Sequence, residues 1–80
     1  MANFDRELDA SGLHCPMPAL RSKKALDGMT NGQVLHIIST DPASKNDIPS
    51  FAKTTKNELL EAREDGGKFH YYIRKGLTLT

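Results

Sequence analysis

The sequence predicts a two-layer α/β sandwich, in which two helices cover one face of a four-stranded mixed sheet in the order β-α-β-α-β-β. Apolar and polar residues alternate in three segments, a period typical of strands that bury one face. Apolar residues recur at helical spacing in two stretches between them. A strand, a helix and a second strand in one sheet imply a right-handed crossover and a parallel pair.

The first half of the chain predicts a strand, a helix and a second strand. Phe4, Arg6, Leu8 and Ala10 alternate with acidic residues until Ser11-Gly12 ends the first strand. Residues 19–29 predict a helix, and residues 33–39 are rich in β-branched and apolar side chains that favour a strand. The helix presents a small, apolar face and a polar face. The apolar face carries Pro18, Ala19, Ser22, Ala25, Leu26 and Met29, and the polar face carries Leu20, Arg21, Lys23, Lys24 and Asp27.

The second half predicts a helix and a β-hairpin. Asp41-Pro42-Ala43-Ser44 is typical of a turn or a short helical start, and Asp47 is expected to cap a second helix with Pro49 in its first turn. Residues 59–64 have good helix chemistry, but we predict a strand there. Asp65-Gly66-Gly67 is a hairpin signal, and the alternation from Phe69 to Ile73 needs an antiparallel partner. Residues 76–80 are expected to form a loose tail.

Size and charge restrict the classes of function. Eighty residues are expected to form one domain, 1–80, with little room for a deep substrate pocket beside its core. Eleven Lys and Arg against ten Asp and Glu give a net charge of +1, so no global field steers the protein to nucleic acid or to an anionic membrane. No apolar run approaches the length of a membrane span, and residues 1–7 are too polar for a secretory signal. A cytoplasmic location is therefore expected.

Cys15 is the only cysteine, and it lies in Gly12-Leu13-His14-Cys15-Pro16-Met17-Pro18. One thiol cannot form an internal disulfide, so it is either a buried structural residue or a reactive one. The prolines favour the reactive alternative because proline is well suited to the first turn of a helix. At a helix N-terminus, the peptide dipoles and free N–H groups stabilise the thiolate, which is the nucleophilic form of cysteine.

From about residue 8 to residue 75 the sequence resembles the TusA-type (SirA-like) sulfur-carrier family. The resemblance implies the same fold, and it implies that Cys15 accepts sulfane sulfur as a persulfide and relays it without a bound cofactor. It further implies a cysteine desulfurase or a rhodanese-type protein as donor, and a downstream relay protein as acceptor in tRNA thiolation, cofactor biosynthesis or sulfur oxidation. The matching segments are Gly12-Leu13-x-Cys15-Pro16-x-Pro18, Lys23-Lys24-Ala25-Leu26, Asp41-Pro42 and Asp47-Ile48-Pro49.

Partner proteins are expected to dock beside the thiol. Exposed apolar side chains near a reactive sulfur suggest a transient interface, and basic residues of the same helix could form its rim. The resemblance also suggests a partner contact at the aspartate that follows the second strand. The expected partner-binding residues are Pro16, Met17, Pro18, Leu20, Lys23, Lys24 and Asp41.

Other functions of the polar residues are less well supported by the sequence. His14 could act as a base for Cys15, but adjacent residues of an extended segment point to opposite sides. The three histidines lack the close spacing of zinc ligands, and His36 and His70 are expected on the sheet face away from the helices. A basic face for RNA phosphates could be formed by Arg21, Lys23 and Lys24, together with Lys53 and Lys56 of the second helix, although no aromatic residue is interleaved with these charges.

The alternative function is a regulatory or nucleic-acid-interaction module in which Cys15 is structural. A thiol-dependent enzyme that acts alone is disfavoured by the small size and by the missing general base. We expect a carrier protein more than a self-contained enzyme, and a monomer when it is free of its partners.

Overall fold

The structure is a computed structural model, and it describes residues 4–14 and 17–76. Two of the predicted site residues, Cys15 and Pro16, lie outside the described residues, as do residues 77–80 of the predicted tail. The predicted element order is confirmed. The elements are β1 (Arg6–Ala10), α1 (Met17–Asp27), β2 (Val34–Ser39), α2 (Ser44–Thr54), β3 (Glu58–Asp65) and β4 (Lys68–Arg74).

The strands form one mixed sheet in the order β1-β2-β4-β3, so that β1 and β3 are its edges. Strands β1 and β2 are parallel, as the helical crossover between them predicted, and the other two pairings are antiparallel. The hairpin between β3 and β4 turns at Gly66 and Gly67, whose φ angles are 58° and 85°. Two consecutive positive φ angles give a turn whose twist matches that of the strands. The prediction of a strand rather than a helix before this turn is confirmed.

One hydrophobic core lies between the helices and one face of the sheet. Leu26 of α1 and Ile48 of α2 pack in the same cluster as Leu35 and Ile37 of β2. Because side chains alternate along a strand, residues next to these core positions point to the other face of the sheet. The predicted two-layer sandwich is therefore confirmed.

Helix α1 begins and ends two residues before the predicted range of 19–29. At its start, Pro18 is the second residue of the helix, where its missing N–H costs no intrahelical bond. At its end, the N–H groups of Gly28 and Met29 donate to carbonyls three residues back, which closes the helix as a tight turn. Met29 is buried nonetheless.

The predicted N-cap of α2 is wrong. Asp47 lies within the first turn of the helix, which begins at Ser44, and the capping residue is Ala43, whose side chain makes no cap bond. The cause is Asp41, because its carboxylate accepts the N–H of Ala43 at 3.2 Å and the turn then continues directly into the helix. Pro49 consequently lies inside α2 and not in its first turn, which corrects a second prediction.

Candidate functional site

The segment that leads from β1 to Cys15 is held by its own backbone N–H groups. The N–H of Ser11 donates to the Asp9 carboxylate at 3.0 Å, and the N–H of Leu13 donates to the Ala10 carbonyl at 3.1 Å. Hydrogen bonds from the Ser11 hydroxyl and backbone hold the pKa of Asp9 below its usual value. Gly12, at a φ of 81°, adopts the left-handed conformation that glycine tolerates best. These contacts fix the path of the chain up to His14.

The Thr40 hydroxyl joins this segment to the loop that follows β2, because it accepts the N–H of Gly12 at 2.9 Å. The carboxyl ends of parallel strands lie at the same end of a sheet, so the loops after β1 and β2 are neighbours. Asp41 is the next residue of the second loop and is half-buried, and its N–H donates to the Ser39 hydroxyl at 3.2 Å. The structure therefore brings Asp41 to the end of the sheet at which β1 leads into the segment that precedes Cys15.

On the other side of Cys15, the chain enters α1 at Met17. The N–H of Met17 donates to the His14 carbonyl at 2.8 Å, so the residues on either side of Cys15 and Pro16 are bonded to each other. The side chain of His14 is exposed, and that of Met17 is half-buried. In the sequence, Cys15 is two residues before the start of the helix.

The two faces of α1 are the ones that the sequence predicts. Pro18 and Ser22 are buried, and the Ser22 hydroxyl donates to the Pro18 carbonyl at 2.6 Å. Leu20 is 54% exposed on the opposite side, where Lys24 is also exposed. Because Pro18 is buried, its side chain supports the first turn from the core side. Leu20 and Lys24 are available to a partner.

Lys23 has an ionic partner on its own helix. Its ammonium lies 3.0 Å from the carboxylate of Asp27, one turn further along, and both side chains are well exposed. An exposed pair of this kind contributes little stability, typically below about 0.5 kcal/mol. Lys23 can therefore exchange Asp27 for an acidic partner at little cost.

Lys53, near the end of α2, and Lys56, which follows the helix, lie at the other end of the sheet. Lys53 and Lys56 line an open groove of about 740 Å³ together with Arg74 and Lys75, next to Gly32 before the start of β2. Thr40 follows the opposite end of β2, so this groove is separated from Thr40 and Asp41 by the length of the strand.

No group of three or more His, Cys, Asp or Glu side chains within residues 4–14 and 17–76 could hold a metal ion. The two sheet histidines lie on the face away from the helices, as predicted. In the same part of the chain, neither helix has the length and apolar character needed to cross a bilayer.

Comparison with known proteins places the chain in a family. The family model of the sulfurtransferase TusA matches residues 6–75, which include the whole segment from β1 to the end of β4. The chain belongs to the TusA family. It is 63% identical over 75 residues to the sulfur carrier protein TusA of Allochromatium vinosum, which covers 94% of this chain and 99% of that protein.

Two further relatives extend the comparison. The putative sulfur carrier protein YrkI of Bacillus subtilis is 42% identical over 72 residues, or 90% of this chain and 96% of YrkI. The crystal structure of a SirA-like protein from Desulfitobacterium hafniense superposes with a TM-score of 0.78 at 27% identity, and the match covers 91% of this chain and all of that chain. The predicted fold and family resemblance of this TusA-family protein are therefore confirmed.

Two features at the candidate-site end of the sheet of this TusA-family protein were absent from the sequence prediction. One is the Thr40 hydroxyl, and its position directly before Asp41 was the available signal. The other is a hydrogen bond of 2.8 Å between the hydroxyls of Ser44 and Tyr71, both buried beneath the start of α2. Burial raises the pKa of Tyr71, while the hydrogen bond with Ser44 acts in the opposite direction. A contact across 27 residues has no local sequence signal.

Proposed function

We propose that this protein is a sulfur carrier that holds sulfane sulfur as a persulfide on Cys15 and relays it to an acceptor thiol. The observation that supports the proposal is the 63% identity to a sulfur carrier protein, in a family whose model spans the Cys15-Pro16-Met17-Pro18 segment. The single cysteine is consistent with this role, because it is the only thiol available to carry sulfur.

The relay consists of two thiol exchanges without net oxidation. In the first, the Cys15 thiolate attacks the outer sulfur of a donor persulfide, a new S–S bond forms on Cys15, and the donor leaves as a thiolate. In the second, an acceptor thiolate attacks the outer sulfur of the Cys15 persulfide, and Cys15 leaves as a thiolate. Since the chain has no second cysteine, Cys15 cannot release its sulfur by forming an internal disulfide. The loaded protein must pass the sulfur to another molecule.

The partners are proposed to dock on α1 and the adjoining loop after β2. We define the docking face as Met17, Leu20, Lys23, Lys24 and Asp41, with Pro16 beside the thiol and Pro18 supporting the turn from the core. Leu20 supplies an exposed apolar contact, and the lysines surround it with charge. In small interfaces a central apolar side chain contributes affinity, while charges at the rim affect mainly the association rate.

The proposed donor is a cysteine desulfurase or a rhodanese-type protein, and the proposed acceptor is a downstream relay protein of tRNA thiolation, cofactor biosynthesis or sulfur oxidation. The carrier works without a cofactor of its own and as a monomer between encounters. A reducing cytoplasm suits this chemistry because it keeps the unloaded thiol free.

A single-turnover relay assay tests the proposal. A desulfurase loaded with radiolabelled sulfur should transfer the label to the wild-type protein, which should then label an acceptor thiol. Cys15→Ser should carry no label while its circular dichroism stays that of the wild type.

A variant that moves the thiol within the same loop provides the control. Cys15→Ser combined with Ser11→Cys places one thiol at an exposed position after β1. This double variant should accept little label from the protein donor. Equal relay by Cys15→Ser would contradict the carrier function, and equal relay by the double variant would contradict the site.

A further inference from the structure

A chain of three ionisable side chains crosses the sheet on the face away from the helices. His36 of β2 is 6% exposed, and its Nδ1 lies 3.0 Å from the Oε2 of Glu7 on β1. Its other nitrogen, Nε2, lies 2.9 Å from the Nδ1 of His70 on β4. Glu7 pairs directly with His36, while His70 is the diagonal neighbour of His36 on the antiparallel strand. The two bonds therefore connect three adjacent strands.

Aromatic rings hold His36 in this orientation. The ring of Tyr72 is parallel to the imidazole within 3°, at a centroid distance of 4.5 Å, and is 1% exposed. Phe4 lies beside both rings, with its centroid 5.0 Å from that of His36 and 6.2 Å from that of Tyr72, and it remains 45% exposed. Since the neighbouring rings restrict the imidazole, His36 cannot turn to solvent without displacing them. The two nitrogens face fixed partners.

The hydrogen bonds limit how many protons the pair can hold. A carboxylate only accepts, so the Nδ1 of His36 carries a proton toward Glu7. With no added proton, the Nε2 of His36 accepts the N–H of the Nδ1 of neutral His70. With one added proton on His36, its Nε2 instead donates to an unprotonated Nδ1 of His70. With two added protons both facing nitrogens carry N–H groups, and the bond between the rings cannot form. The pair therefore accommodates one added proton and is disrupted by a second.

Burial of His70 and the cations nearest to it also oppose the second proton. Glu7 and Asp9 face the cluster from β1, Glu61, Arg63 and Asp65 from β3, and Lys68 and Arg74 from β4. Burial holds the pKa of His70 below its usual value of 6.5, the positive charges of His36, Arg63 and Lys68 act in the same direction, and Asp65 opposes them. Both helices pack on the opposite face of the sheet.

We propose that Glu7, His36 and His70 form an acid-sensitive clasp that ties the edge strand β1 to the centre of the sheet. The clasp keeps both hydrogen bonds when it carries no added proton or one, and it opens when it takes up a second. Strand β1 has five residues and a single partner strand, so these side-chain bonds supplement a short ladder. When the clasp opens, β1 and the Phe4 ring above it loosen before the rest of the sheet.

The sign of the pH effect follows from linkage. A histidine whose pKa is lowered by folding stays neutral in the folded chain at a pH where the unfolded chain already binds a proton. Its contribution to the free energy of unfolding is therefore complete above about pH 6.5, the usual value for histidine, and is lost as the pH falls toward the lowered pKa. The clasp predicts that acid weakens this sheet through His70.

Urea unfolding at a series of pH values from 7.5 to 5 tests the clasp in the full chain. His70→Asn keeps an amide donor for the Nε2 of His36 but cannot take up a proton. The ratio of folded to unfolded protein should fall less steeply with acid in this variant than in the wild type. His14→Asn, which removes an exposed histidine from the loop after β1, should keep the wild-type slope.

Imidazole ¹⁵N shifts and amide exchange in the wild type provide a second readout that needs no variant. The pKa of His70 should lie below its usual value, and the amides of β1 should lose protection at a higher pH than those of β4. Equal acid slopes in wild type and His70→Asn would overturn the proposal, and so would a His70 imidazole that takes up its proton at or above the usual pKa of a histidine. A change of slope in His14→Asn equal to that in His70→Asn would overturn it as well.

Discussion

At the scale of single residues, polar side chains inside this small domain are paired. No buried side-chain nitrogen or oxygen lacks a hydrogen-bond partner in the part of the chain that the structure describes. Ser44 and Tyr71 are 1% and 3% exposed, and their hydroxyls bond to each other beneath the start of α2. A buried polar group that loses its partner costs more than the bond itself contributes, because its desolvation is no longer offset. The two hydroxyls should therefore behave as one unit.

This pairing predicts non-additive effects on stability. Tyr71→Phe and Ser44→Ala should each lower the free energy of unfolding by about 1 to 2 kcal/mol, since each leaves the other hydroxyl buried without its partner. The double variant should cost less than the sum of the two, as expected for residues in contact. Urea unfolding of the three variants measures this coupling. Strictly additive losses would mean that the hydrogen bond contributes nothing.

At the scale of elements, the two faces of α1 contribute very differently to stability. One face packs Leu26 into the core at 2% exposure, and the opposite face leaves Leu20 at 54%. Truncation of a buried leucine typically costs about 2 to 5 kcal/mol because it leaves a cavity, whereas an exposed one changes stability by less than about 0.5 kcal/mol. Substitutions on the outer face of α1 should therefore leave the fold intact, while the inner face maintains it.

Leu20→Ala tests the docking face. It should leave the urea midpoint nearly unchanged and slow sulfur transfer to or from a protein partner, because it removes the central apolar contact. Loading from inorganic polysulfide needs no docking surface and should keep its wild-type rate. Stopped-flow transfer assays with both kinds of donor measure the difference.

Leu60→Ala is a suitable control, since Leu60 is 40% exposed on the edge strand β3, away from α1. It should transfer sulfur at the wild-type rate. Unfolding of Leu20→Ala would contradict the assignment of the helix faces. An unchanged rate of protein-to-protein transfer would show that partners dock elsewhere.

At the scale of the whole molecule, local patterns predicted the architecture because each element carries its own signal. The alternation in β4 and the two glycines before it required β3 as an antiparallel partner, although residues 59–64 have helix chemistry. The parallel pair followed from the order of β1, α1 and β2. The helix bounds were less accurate, because Asp41 makes a turn that continues into α2, which displaced the predicted cap at Asp47.

Contacts between residues that are distant in the sequence could not be predicted. The Lys75 ammonium donates to the carbonyls of Leu26 and Met29 at the end of α1, at 2.6 and 2.8 Å, across more than forty residues. The hydrogen bond from the N–H of Gly12 to the hydroxyl of Thr40, beside the candidate site, is also a contact between residues distant in the sequence. Such bonds depend on where the completed fold brings the chain, and the residue types alone do not encode them. Cys15 could be proposed as the reactive residue from the sequence alone because it is the only cysteine and the motif around it is local.

The central claim, that Cys15 carries sulfur, is tested most directly by the intact mass of the protein. After incubation with polysulfide, or with a desulfurase and cysteine, the wild type should gain the mass of one sulfur atom, and a thiol reductant should remove it. Folded Cys15→Ser should gain none under the same conditions. A wild type that stays unmodified, or a variant that loads as much sulfur as the wild type, would contradict the account.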